Sequence, residues 1–124
     1  MAVYLTRRFE RWARKEGIAA SALCAAVREM AAGLFDADLG GSLYKKRVAR
    51  TGAGKSGGYR TLVASNRGGR WSFLYGFPKN ERSNIDDAEK EALKALAKYL
   101  LALPPVKLSQ ARDSGEILEI DCDA

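Results

Sequence analysis

Two runs of alternating residues joined by a short polar break set the strongest limit on how this chain folds. From Tyr59 to Ser65, Tyr59, Thr61 and Val63 alternate with Arg60, Leu62 and Ala64. From Trp71 to Phe77, the aromatic residues Trp71, Phe73, Tyr75 and Phe77 occupy every second position and are expected to share one face. Period two is the pattern of a half-buried strand, because successive side chains leave a strand on opposite sides. The break Asn66-Arg67-Gly68-Gly69 is polar, glycine-bearing and of hairpin length, so the two runs are predicted to pair antiparallel. Leu43 to Arg50 is a weaker candidate for a preceding strand.

The flanking segments carry helical period. Leu5, Phe9 and Trp12 recur at i, i+4 and i+7 among Arg7, Arg8, Glu10 and Arg11, which predicts an amphipathic helix closed by Gly17. Ser21 offers an N-cap to a second helix with the stripe Leu23, Val27, Met30 and Leu34, stopped near Gly33. The short break between them favours a helical hairpin. After the strands, Ser83-Asn84-Ile85-Asp86 reads as a capping box with Asp in place of Glu. It opens a helix with Ala92, Leu93, Leu96, Ala97 and Leu100 on one side, ended by Pro104-Pro105. Val106 to Arg112 has room for one or two helical turns, and Gly115 to Ile120 alternates as a short extra strand. The expected fold class is α+β: an N-terminal helical hairpin packed on a small antiparallel sheet of three to four strands, with a C-terminal helix. With 124 residues and no linker or repeat, a single domain over 1–124 is expected.

Composition narrows the chemistry. Hydrophobic residues at 47% and charged ones at 29% describe a globular chain without a membrane span. There is no histidine, which excludes Ser–His and Cys–His nucleophile pairs, His-ligated metals and imidazole acid–base catalysis. Cys24 and Cys122 are too few for a thiolate zinc site or a disulfide framework. Their separation permits one disulfide, but a reduced cytosolic pair is the simpler reading. The segment from Met1 to Arg14 carries charge every few residues and lacks the apolar run of a secretory signal, so a cytoplasmic location is expected. Lys, Arg, Tyr, Ser and carboxylates are then left to do any chemistry.

The net charge of +6 averages two unlike regions. Between Gly41 and Arg82 stand ten bases, Lys45, Lys46, Arg47, Arg50, Lys55, Arg60, Arg67, Arg70, Lys79 and Arg82, against one acid, Glu81. Solvated faces normally interleave both signs. Exclusion of acids over this whole stretch points to an anion-binding surface, with nucleic acid the commonest large polyanion.

Gly52-Ala53-Gly54-Lys55-Ser56 looks like a P-loop, but Ala49 stands where the first glycine belongs, and Gly57-Gly58 and a strand follow where a helix is needed. Nucleoside triphosphate binding is therefore rejected. The loop reads equally as a glycine-rich phosphate cradle with Lys55 as its point charge or as an ordinary hairpin loop. Arg60 is more pointed. Alternating with Leu62 and Ala64, it faces packed surface, where a guanidinium needs an anion or a structural carboxylate. Pairing of the two strands would bring Arg60 to Lys79 and Arg82 at one edge of the sheet, and Glu81 alone cannot neutralise three cations. The aromatic run suits core packing better than base stacking, with Tyr59 and Tyr75 as the candidate exceptions.

Lys45-Lys46-Arg47-Val48-Ala49-Arg50, then Gly54-Lys55-Ser56-Gly57-Gly58-Tyr59-Arg60, then Tyr75-Gly76-Phe77-Pro78-Lys79-Asn80-Glu81-Arg82, resembles the RelE/HigB toxins of bacterial type II toxin–antitoxin systems, within the RelE/ParE superfamily. The likeness covers most of the chain. It implies a ribosome-dependent endoribonuclease, an mRNA interferase that enters the ribosomal A site and inhibits translation by cutting messenger RNA. In that family the ribose 2′-hydroxyl attacks the adjacent phosphate, so no metal or other cofactor is implied. The implied partners are the ribosome with its mRNA and a cognate antitoxin, often of helix-turn-helix type; no membrane is implied. By position, Arg60 matches the phosphate-stabilising arginine, Lys55 lies in the matching basic segment, and Lys79 and Arg82 match the strand-end cations; these four form the expected catalytic set. Lys45, Lys46, Arg47, Arg50 and Tyr75 are the expected RNA-binding residues.

Two departures stand out. Some RelE proteins carry a tyrosine general base shortly after the Lys-x-Glu-Arg element, where this chain reads Ser83-Asn84-Ile85-Asp86, and Asn80 replaces an arginine of some relatives. The general base is left as either a lysine of the cation cluster or Tyr75. Two other functions remain compatible with the residues: inhibition of DNA gyrase, as in related ParE toxins, and non-catalytic nucleic-acid binding.

Overall fold

The computed structural model describes residues 1–50 and 54–122, with the side chains at 54–57 outside that description. Strands β1 (Ala2–Thr6), β2 (Ala37–Asp38), β3 (Leu43–Arg50), β4 (Gly54–Ser65), β5 (Arg70–Pro78) and β6 (Ile117–Ile120) form one sheet in the order β2-β3-β4-β5-β1-β6. Helices α1 (Arg7–Glu16) and α2 (Ala20–Ala31) cover one face. Helices α3 (Asp87–Leu101) and α4 (Pro105–Asp113) pack on the other.

The class is α+β as expected, but the sheet is larger, mixed rather than antiparallel, and covered on both sides. The difference begins at the N-terminus. Leu5 belongs to β1, which runs parallel to β5 with Ala2 opposite Arg70 and Leu5 opposite Phe73. Leu5 and Phe9 both enter the α1-side core, so one apolar stripe runs through a strand–helix junction and imitates a longer helix. Thr6 makes the junction: its hydroxyl accepts from Phe9 N at 3.2 Å and donates to Leu74 O at 3.2 Å. Gly17 closes α1 at φ +74, as the sequence suggested.

The other boundaries shift in similar ways. Ala19, not Ser21, occupies the N-cap position of α2; Leu23, Val27 and Met30 are buried, whereas Leu34 lies past the helix end and is exposed. Asp86 with Glu89 forms the capping box of α3, in place of the expected box at Ser83. Pro104 and Pro105 do not only end a helix: they begin α4. The short strand expected near Ile120 exists as β6, paired antiparallel to β1.

The hairpin of β4 and β5 forms, with one irregularity that reorganises the aromatic run. Leu62 pairs with Tyr75 and Val63 with Phe73, leaving Leu74 as an extra residue. A bulge of this kind reverses the in–out alternation beyond it. Trp71 and Phe73 therefore face the α1/α2 core, whereas Leu74, Tyr75 and Phe77 face the α3 side. The four aromatic residues do not share a face.

The two cysteines are bonded to each other, contrary to the expected reduced pair. β6 returns along β1 and carries Cys122 beneath α2, where Cys24 waits at a Cα–Cα distance of 5.4 Å. Both residues are buried, and Arg28 of α2 donates to Cys122 O at 2.6 Å. A separation of 98 residues gave no local hint of this contact.

Candidate nucleic-acid interface

Strand alternation sorts the basic segment onto two faces. Lys45 pairs across Leu62, itself opposite Tyr75; Arg47 pairs across Arg60, itself opposite Phe77. Directly paired residues project from the same side of a sheet. Lys45, Arg47 and Arg60 thus stand with Tyr75 and Phe77 on the α3 side of the sheet.

Lys46, between them in sequence, goes the other way. It is 5% exposed, its Nζ lies 2.8 Å from Glu29 Oε1 and donates to Leu34 O at 2.9 Å. Lys46 ties α2 and its following turn to β3, and is not part of the cationic cluster. Arg70 is also structural: it donates to the carbonyls of Leu100, Leu101 and Leu103 and so caps the C-terminus of α3. Arg67 stacks over Phe35, its guanidinium carbon 5.3 Å from the ring centroid. Arg50 is exposed at the end of β3. Lys55 falls within β4, and its side chain lies outside the described residues, as does the loop 51–53.

Arg60 occupies the middle of the cluster. Its position opposite Arg47 sets two like charges side by side, an arrangement that costs energy unless counter-charge is supplied. Asp36 neutralises Arg47, through Nε–Oδ1 at 2.9 Å and the Arg47 backbone N–H to Oδ2 at 2.6 Å. Among the described residues no carboxylate pairs with Arg60 in this way. Its Nη1 is buried and has no hydrogen-bond partner among the described residues. A desolvated guanidinium N–H without an acceptor is expensive, and buried polar groups in native structures are completed by protein, ordered water, an ion or a ligand.

Arg82 arrives from the turn after β5. Its guanidinium carbon stands 5.3 Å from the Phe77 ring centroid, next to Arg60. It donates to Glu89 through both terminal nitrogens, Nη1 to Oε2 at 2.9 Å, and approaches the Tyr75 hydroxyl at 3.4 Å. The hydrogen bonds from Arg82 and from the Asp86 backbone hold the Glu89 carboxyl at about 2, well below its ordinary 4.5. The same contact raises the Arg82 pKa further above its already high value. A carboxyl depressed in this way stabilises the fold fully above about pH 4.5 and ceases to do so as pH falls from there towards 2. Thermal unfolding followed from pH 6 down to pH 2 should therefore show a steeper acid loss in the wild type than in Glu89→Gln; identical slopes would refute the assignment.

Lys79 N donates to Gly58 O at 3.1 Å, so its backbone sits at the mouth of the β4–β5 hairpin with an exposed side chain. Gly58 permits close strand contact here, since a Cβ would lie 2.3 Å from Val48 O. Arg60, Lys79 and Arg82 do converge, at the open end of the central strands rather than at a sheet edge. Tyr59 is no exception to core packing: it is 4% exposed and meets Trp12 edge to face at 5.4 Å.

One contact escaped the sequence. Arg8, in the first turn of α1, lies 5.0 Å from the Tyr75 ring centroid. The available signal was a local inconsistency: Arg7 and Arg8 both sit at a helix N-terminus, where the dipole disfavours cations. Arg7 is explained by its bonds to Gly115 O and Ser114 O. Arg8 has no comparable structural anchor among the described residues.

A mixed sheet between two helical layers, with arginine and lysine beside aromatic rings at the open end of its central strands, defines a small α+β protein. Residues 1–120 match the family described as the RelE toxin of the RelE / RelB toxin-antitoxin system. The chain belongs to that family, and is thus a toxin of a toxin–antitoxin system with a cognate antitoxin as its partner. No curated protein matches it. Among the described residues, no helix is long and apolar enough to cross a membrane.

Proposed function

We propose that this toxin is a ribosome-dependent mRNA endoribonuclease, acting in the cytoplasm as a single domain. The observation that carries this reading is Arg60, whose buried Nη1 lacks a partner among the described residues, in a cluster with Lys45 and Lys79. Neither lysine forms an ion pair among the described residues. A scissile phosphate placed at Arg60 would satisfy the orphaned N–H and meet positive charge from both sides.

The chemistry needs no group that the chain lacks. The ribose 2′-hydroxyl loses its proton to a base as the O2′–P bond forms; the P–O5′ bond breaks and the departing O5′ takes a proton from water or a lysine ammonium, leaving a 2′,3′-cyclic phosphate and a 5′-hydroxyl. Negative charge grows on the phosphoryl oxygens in the transition state, where a fixed guanidinium is most effective. Arg60 takes that role, and Lys79 and Lys55 add charge neutralisation. Arg82 is held by Glu89, so it orients Tyr75 and shapes the site more than it offers free charge. Tyr75, half-buried with its hydroxyl 3.4 Å from Arg82 Nη1, is the favoured candidate for the base. Lys45 continues the positive track along the same sheet face for the RNA backbone, whereas Arg47 is held by Asp36.

Purified protein added to a bacterial translation extract is expected to generate discrete new ends in translated messages. Intact messages at every protein concentration would overturn the reading. A gyrase supercoiling assay on the same preparation should show no inhibition; inhibition without RNA cutting would assign it to the ParE type instead.

A further inference from the structure

A separate cleft adjoins the cationic cluster. α1 diverges from β5 after Thr6, and the space between them measures about 240 Å3. Its walls include Arg8 and Trp12 from α1, Tyr75 and Gly76 from β5, and Glu81 and Arg82 from the following turn. Gly76 lets Trp12 form this wall: a Cβ there would come within 2.3 Å of the Trp12 ring, which lies directly against the strand backbone. Arg8 over Tyr75 at 5.0 Å makes a guanidinium–aromatic layer of the kind on which nucleobases stack.

Glu81 supplies polar discrimination. It is the sole acid of the basic segment, yet its carboxylate makes no ion pair and no side-chain hydrogen bond among the described residues. The neighbouring Arg82 spends its fork on Glu89. A bare carboxylate beside a phosphate site repels phosphate and accepts N–H donors. Guanine offers two adjacent donors, N1–H and N2–H2, that a carboxylate can accept together. Uracil presents its single N–H between two carbonyl oxygens, which a carboxylate repels.

We propose that this cleft is a nucleobase subsite, in which a base adjoining the phosphate at Arg60 stacks on the Arg8–Tyr75 layer and Glu81 selects guanine over uracil. The inference rests on the reading of RNA as substrate. Trp12 provides the readout, because Trp71 is buried at 2% exposure while Trp12 forms the cleft wall. Guanosine 5′-monophosphate should quench tryptophan fluorescence with a Kd roughly tenfold lower than uridine 5′-monophosphate, the discrimination of one bidentate pair. The two probes share a phosphate, so the contribution of Arg60 cancels in the ratio. Glu81→Gln should bring the ratio close to one, and Arg8→Ala should weaken both nucleotides. Equal affinities, no quenching by either nucleotide, or a preference that survives Glu81→Gln would overturn the subsite. Message cutting by the same wild-type protein is scored separately. Nucleotide preference without cutting would leave the subsite standing and remove the nuclease reading, whereas cutting without preference would remove the subsite alone.

Discussion

Arg60→Ala is expected to lower the rate of message cutting by about 10²–10³-fold, the usual effect of deleting one fixed donor to a developing oxyanion. The same variant should fold at least as well as the wild type. Alanine removes a buried nitrogen that has no acceptor among the described residues. Loss of activity with unchanged or raised thermal stability is the signature of a group kept for a ligand at some cost to the fold. Arg60→Lys retains charge but loses the planar fork, so it should fall between the two. Cutting at the wild-type rate by Arg60→Ala would sink the assignment. Strong destabilisation would show instead that Arg60 is a structural ion-pair residue.

The second large effect concerns the disulfide. Cys24–Cys122 closes nearly the whole chain into a loop, and cross-links of this span stabilise chiefly by restricting the unfolded ensemble. Reduction, or the double substitution of Cys24 and Cys122 by alanine, should cost about 2–5 kcal/mol. For a chain of this size that corresponds to a fall in Tm on the order of 10 °C. The double variant should also be indifferent to reductant. Two free thiols titrating in the native, non-reduced protein would contradict the bond, as would a Tm that reductant leaves unchanged. Because both sulfurs are buried, native reduction should be slow unless the segment after β6 opens.

Much of the central hairpin was legible from residues alone. Alternation from Tyr59 to Ser65 and from Trp71 to Phe77, broken by Asn66-Arg67-Gly68-Gly69, led directly to β4 and β5 and to the meeting of Arg60 with the cations after Phe77. These features are local: period, turn chemistry and hairpin register are decided within a few residues of one another. β1 was hidden because Leu5 and Phe9 feed the same core, so helical spacing passed unbroken across Thr6. The bulge at Leu74 was hidden for a related reason, since an inserted residue leaves no trace in an uninterrupted apolar pattern.

The cationic site divides along the same line. By itself the sequence determined that positive charge is concentrated between Gly41 and Arg82, that histidine takes no part, and that Arg60 lies on a strand among apolar neighbours. Only the tertiary structure decided which cations remain available. It turned Lys46 inward to Glu29, assigned Arg70 to the end of α3, paired Arg47 with Asp36 and Arg82 with Glu89, and left the Arg60 Nη1 without a partner among the described residues. Composition counts charges, but neutralisation depends on contacts within about 4 Å, and most of those here join residues from different elements. The parallel pairing of β1 with β5 brought Arg8 to Tyr75, and the return of β6 along β1 brought Cys122 to Cys24. Both contacts arise from long-range strand order, for which no short window of sequence carries a signal.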